Sequence, residues 1–129
     1  VREIKFRAWD NKNMWQNPII HHGKAWCYNN EETELVPWYS KEQTILYGEP
    51  ILMQYTGFKD KNGKEIYEGD ILKTETTSVK VPNITVYWFE QGGRWNGKYH
   101  GLSIDCEIND SVFYTSEVIG NIYENPGLI

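Results

Sequence analysis

Ile84-Thr85-Val86-Tyr87-Trp88-Phe89-Glu90, halted by Gly92-Gly93, is the most strongly β-forming run in the chain. Branched and aromatic side chains lose rotamer freedom against a helical turn but pack well on a pleated, half-buried surface, so this run reads as a strand. Downstream, Gly97 and Gly101 punctuate the sequence, and Leu102-Ser103-Ile104 and Val112-Phe113-Tyr114 are two further short strand candidates. A last one, Glu117-Val118-Ile119-Gly120-Asn121-Ile122-Tyr123, ends at Glu124-Asn125-Pro126-Gly127, where proline stops strand pairing.

Upstream, Ile51-Leu52-Met53-Gln54-Tyr55-Thr56 is a strand candidate followed by a turn region, Gly57 to Gly63, whose Asn62-Gly63 supplies the positive φ angles of a hairpin. Lys64-Glu65-Ile66-Tyr67 returns, and Glu68-Gly69-Asp70 reads as a bulge or sharp bend before Ile71-Leu72-Lys73. At the start, Ile4-Lys5-Phe6-Arg7-Ala8-Trp9 alternates apolar and polar residues with the period of a half-buried strand. Asp10-Asn11-Lys12-Asn13 then favours a turn, and Met14-Trp15 begins the second arm of an N-terminal hairpin. Between these regions Pro18 and Pro37 act as breakers, Asn30 to Glu34 forms an acidic loop or short helix start, and Ser40-Lys41-Glu42-Gln43 fits the capping-box spacing for one or two helical turns.

Short strands with turn signals at this spacing predict a mainly β fold: antiparallel strands in a small curved sheet or barrel, an N-terminal hairpin, and at most one or two short helices. One domain over residues 1–129 is expected, with 1–50 as hairpin and irregular segment and 51–129 as the barrel-like part. Of the 15% aromatic content, with 6 Trp and 9 Tyr, about three-quarters of the side chains are expected to pack in the core, and the exposed remainder is where a partner would bind. No run of roughly 18 apolar residues and no signal-peptide pattern is present, which predicts a cytoplasmic protein with no membrane role. Of the net charge of -5, all falls after Lys98, where Asp105, Glu107, Asp110, Glu117 and Glu124 follow a stretch holding 13 acidic and 13 basic residues. An acidic segment opposes the counterion release that drives nucleic-acid binding.

Three of these stretches, Ile4 to Asp10, Met53 to Ile71 and Glu117 to Pro126, together resemble the YopX family of phage and Gram-positive prophage proteins. The resemblance spans nearly the whole chain. It implies a small, mostly β protein of a phage or prophage, at work in the bacterial host cytoplasm, and carries with it no established catalytic activity. The segment from Asn17 to Leu46 matches no part of the pattern.

Candidate chemistry is sparse. His21, His22 and Cys27, with His100 or Cys106 as a distant fourth ligand, could be assembled into a metal site, but adjacent strand residues point to opposite faces and paired close ligand spacings are missing. Hydrogen-bonded or surface histidines and two separate buried thiols are the preferred reading, with no metal and no cofactor. Asp60-Lys61-Asn62-Gly63 opens like a calcium loop, yet Lys64 and Ile71 stand where ligands are needed, so a hairpin turn explains it better. Asp105 and Glu107 would share one face of a strand as solvated carboxylates at an exposed edge, with no nucleophile beside them.

Trp38, Tyr39, Phe58 and Trp95, in loop-like contexts, are therefore the candidate partner-binding residues. The preferred function is a non-catalytic accessory module that self-associates or binds another protein. Alternatives are a nucleic-acid-binding barrel, using Phe58, Trp88 or Trp95 with neighbours such as Lys59, Lys61 and Lys64, and a metal-dependent enzyme built on the histidines or cysteines.

Overall fold

A computed structural model describes residues 3–21, 24–28, 35–37, 50–74 and 82–129; for 19–21, 24–28 and 35–37 it describes the backbone alone. The fold is mainly β and antiparallel, as the alternation of apolar residues predicts. The chain falls into two compact units, one formed by Lys5–Gln54 and the other by Val1–Ile4 with Tyr55–Ile129.

In the first unit, β1 (Phe6–Trp9) and β2 (Met14–Gln16) form the predicted hairpin, with Ala8 opposite Trp15. Asp10 closes it: one carboxylate oxygen accepts the backbone N–H of Lys12 and Asn13 at 2.8 and 2.6 Å, the other accepts the Trp15 indole N–H at 2.9 Å. Asn11 takes the left-handed conformation, φ 72°, that Asn tolerates. Beyond it β3 (Ile19–His21), β4 (Lys24–Tyr28) and β5 (Leu35–Pro37) make a three-stranded sheet in that order. The Ser40–Gln43 capping box and the acidic run from Asn30 to Glu34 lie outside the described residues.

β6 (Ile51–Lys59) runs through the division: residues 51–54 pair with β1, and Tyr55 and Lys59 pair with β7 (Glu65–Tyr67). The strand is longer than its sequence suggests, because Gly57, at φ 88°, sits where the register shifts and the strand passes through it as a bulge instead of turning. The turn comes at 60–64 and closes the expected hairpin between β6 and β7, but of the Asn62-Gly63 pair only Gly63 takes the positive φ expected of both. The side chain of Asp60 shapes that turn, as described below. Gly69, at φ 86°, makes a break and not a bend, since β7 ends before it and β8 (Asp70–Thr74) begins in another sheet.

That sheet is five-stranded, in the order β11-β10-β9-β8-β12, built from β9 (Ile84–Phe89), β10 (Arg94–Tyr99), β11 (Ile104–Glu107) and β12 (Ser116–Asn121). β10 has no strong strand signal, because Asn96 and Gly97 interrupt its alternation. Gly97 is there for close approach: a Cβ would stand 2.5 Å from Ile84 Cγ2 and 3.0 Å from Ile108 Cδ1. Gly97→Ala should therefore cost about 1–3 kcal/mol by overpacking, read as a lower urea midpoint with an unchanged slope.

Val112-Phe113-Tyr114 is helical, against the strand expectation: α1 spans Asp110–Thr115. Its cause is local capping that outweighs β propensity. Asn109 Oδ1 accepts the Val112 N–H at 3.1 Å, and at the far end the Ser116 hydroxyl donates to the Phe113 carbonyl at 2.8 Å. This turn drives Phe113 into a core of Ile66, Leu72, Ile84, Val86, Trp95 and Ile108. β12 stops at Asn121, two residues earlier than expected, since Asn121 Oδ1 accepts the N–H groups of Tyr123 and Glu124 while the Asn121 N–H donates to Asn125 Oδ1 at 3.2 Å. A short 3-10 turn, Pro126–Leu128, follows.

Candidate functional site

Within the second unit, the ends of β9 and β11, the start of β10, the start of α1 and the middle of β6 meet around a cleft of about 410 Å³. Its walls are aromatic. Trp88 and Trp95 face each other across the β9–β10 hairpin, as the register pairs them, with ring centroids 4.9 Å apart and planes at 70°. Phe58 lines the cleft from β6 and is held by stacking on Phe113 at 4.6 Å and 11°, with Tyr114 edge-on at 6.1 Å. Such offset and edge-to-face arrangements suit the ring quadrupoles and fix ring orientation.

Arg94, Glu107 and Asp110 supply the charge in the cleft. The Arg94 guanidinium lies 5.2 Å from the centre of the Phe89 ring, and its Nε donates to Asn96 Oδ1 at 3.1 Å. The polar chain continues as Asn96 Nδ2 donates to the Tyr87 hydroxyl at 3.4 Å, which donates to Asp105 Oδ2 at 3.2 Å. A cation on β10 is thus linked to an anion on β11 through hydrogen bonds that run the same way, which orients Arg94 at the cleft.

Phe58 and Trp95 are brought together at this cleft, but neither stands in a loop. Trp95 is in β10, 7% exposed and part of the core, and Phe58 is half-buried in β6; the aromatic that presents itself is Trp88, 37% exposed. The signal that could have found it is the four-residue loop from Glu90 to Gly93: read as a hairpin, it sets Trp88 opposite Trp95. Arg94 and Asp110, missed in the sequence, follow from the same register and from the Asn109 cap. Trp38 and Tyr39 lie outside the described residues.

Asp105 and Glu107 share one face of β11, whose four residues are all exposed at the sheet edge, as the alternation predicts. Cys106 is exposed there and not buried, because β11 is the last strand. Burial, and then the neighbouring Cys106, push the Tyr99 phenol up to about 12, so it stays neutral. His100 Nε2 and Thr85 Oγ1 share a hydrogen bond of 2.5 Å. No three His, Cys, Asp or Glu residues converge to hold a metal among the described residues; His22 and the side chains of His21 and Cys27 lie outside them. Among those residues, no helix is long and apolar enough to cross a membrane.

The carboxylates and amides of the longest sequence motifs are used on the backbone. Asp10, Asp60, Asp70 and Asn121 each accept main-chain N–H groups, and Thr56 donates to the Ile66 carbonyl at 2.7 Å. These motifs specify turns and strand pairing.

The family model described as YopX protein matches residues 5–129. Among solved structures, protein EF1440 from Enterococcus faecalis is similar at 28% identity and a TM-score of 0.61, with 99% of each chain covered. Protein yopX from Bacillus subtilis shares the fold at 20% identity and a TM-score of 0.62, with 97% of each chain covered. No curated protein matches the chain.

Proposed function

From the premise that this chain belongs to the YopX family, we propose that it is a non-catalytic phage or prophage accessory module that works by binding another protein. The observation that carries this reading is the cleft: Trp88 partly exposed above Trp95, walled by Phe58, with Arg94 oriented at its rim. Tryptophan and arginine around a partly desolvated pocket are the residue types that dominate protein interfaces. The motif carboxylates support it as well, since groups bonded to two or three backbone N–H groups are committed to turns.

The test compares wild type with the double variant Trp88→Ala and Arg94→Ala in pull-downs from host lysate, with light scattering on the purified protein. A specific captured protein should bind the variant about tenfold or more weakly, the scale of an interface hot spot. A strict monomer that captures nothing refutes the reading.

Stacking of single-stranded nucleic acid on Phe58 and Trp88 is a second reading, favoured by the adjacent Arg94 but opposed by Glu107 and Asp110 in the same cleft. Titration with an oligonucleotide at low salt should leave tryptophan fluorescence unchanged; salt-dependent quenching would reverse the preference between the two readings.

A further inference from the structure

β11 ends the strand order, and no described strand pairs with its outer side. All four of its residues are exposed on both faces, Ile104 at 51%. An uncovered edge of this kind offers N–H and C=O groups at the spacing another strand needs. The register divides the side chains between two faces. Asp105 and Glu107 lie opposite Lys98 and Asn96, and the Tyr87–Asp105 hydrogen bond places this face with the polar chain. Ile104 and Cys106 lie on the other face, with Tyr99.

Charge decides what can occupy this edge. A second copy added antiparallel about a two-fold axis keeps like faces together, so Asp105 would meet either its own counterpart or Glu107 of the other copy. Like charges directly opposite one another are destabilising, so the edge resists pairing with itself. Neither nearby cation is held directly on these acids: Arg94 reaches Asp105 only through Asn96 and Tyr87, and Lys98, opposite Asp105, makes no ion pair among the described residues. Glu107 also lines the cleft beside Asp110, which extends the negative rim beyond the end of the strand.

We propose that the outer edge of β11 pairs with an extended strand of another protein in which Lys or Arg alternates with apolar residues. The cationic face of that strand lies along Asp105 and Glu107, and its apolar face lies along Ile104 and Cys106. This rests on the protein-binding reading and names the chemistry of the partner.

The experiment uses the full chain and three labelled nine-residue peptides: alternating Lys and Val, alternating Glu and Val, and the Lys-Val peptide with a central proline. Fluorescence anisotropy reports affinity, and mass spectrometry of the Cys106 fragment reports its alkylation by iodoacetamide. The Lys-Val peptide should bind at least about tenfold more tightly than the other two at low salt and slow alkylation of Cys106. The variant Asp105→Lys with Glu107→Lys, at exposed positions, should prefer the Glu-Val peptide. Preference of wild type for the acidic peptide, equal binding of the proline peptide, an unaltered preference after charge reversal, or a wild-type dimer that shields Cys106 would each overturn the inference while leaving protein binding intact. If no peptide binds and lysate yields no partner, both fall together.

Discussion

Replacing Phe113 with alanine should cost about 3–5 kcal/mol of stability, a loss of roughly 10–15 °C in melting temperature. Phe113 is 0% exposed, the largest of the fully buried side chains among the described residues, and it touches the core from the short helix α1. Truncation removes its transfer free energy and leaves a void that β-sheet neighbours cannot collapse to fill. Phe58 stacks on this ring at 4.6 Å, so the variant should also release a wall of the cleft. Partner binding would then weaken at temperatures where the variant is still folded. Phe113→Leu, which keeps much of the volume, should recover most of the stability but not the stacked orientation of Phe58. Thermal unfolding followed by near-ultraviolet circular dichroism checks both effects, and an alanine variant that loses less than about 1 kcal/mol would contradict the packing described.

Asp60→Ala should cost about 2–4 kcal/mol, because the carboxylate accepts three charge-assisted hydrogen bonds from the backbone. Oδ1 takes the N–H groups of Asn62 and Lys64 at 2.8 and 2.9 Å; Oδ2 takes that of Val118, on the far side of the unit in sequence, at 2.9 Å. One side chain therefore shapes the 60–64 turn and ties it to β12, an attachment reinforced where Lys61 N–H donates to the Ser116 carbonyl at 2.9 Å. Burial by itself raises the Asp60 carboxyl, but the N–H groups of Val118, Lys64 and Asn62, with the Lys64 charge, outweigh it and hold the group below its ordinary 3.8. A depressed carboxyl contributes stability that is fully present above its unfolded value and is lost as pH falls through the folded one. The gap in stability between wild type and Asp60→Asn should accordingly be widest near neutrality and narrow below pH 3.8. A gap independent of pH would show that the charge plays no part.

Local chemistry made much of this legible. Asp10-Asn11 closes the first hairpin as its side-chain preferences require, and the runs at Ile51, Ile84 and Glu117 are strands because their branched and aromatic residues favour extended backbone and no capping residue opposes it. The exposed acids of β11 were also readable, since alternation alone puts Asp105 and Glu107 on one face. The cleft was not. Trp95 looks like a loop aromatic until Gly97 lets Ile84 and Ile108 close over the strand that carries it.

From residue order alone come the antiparallel β class, the N-terminal hairpin and the family, because period-2 patterning and turn residues act between near neighbours. Which aromatic is buried, which reaches solvent and which strand is left at the edge was decided only in three dimensions. Those outcomes depend on pairings between residues far apart in the chain, such as Asp60 with Val118 and Phe58 with Phe113, and no local preference encodes a distance of that kind.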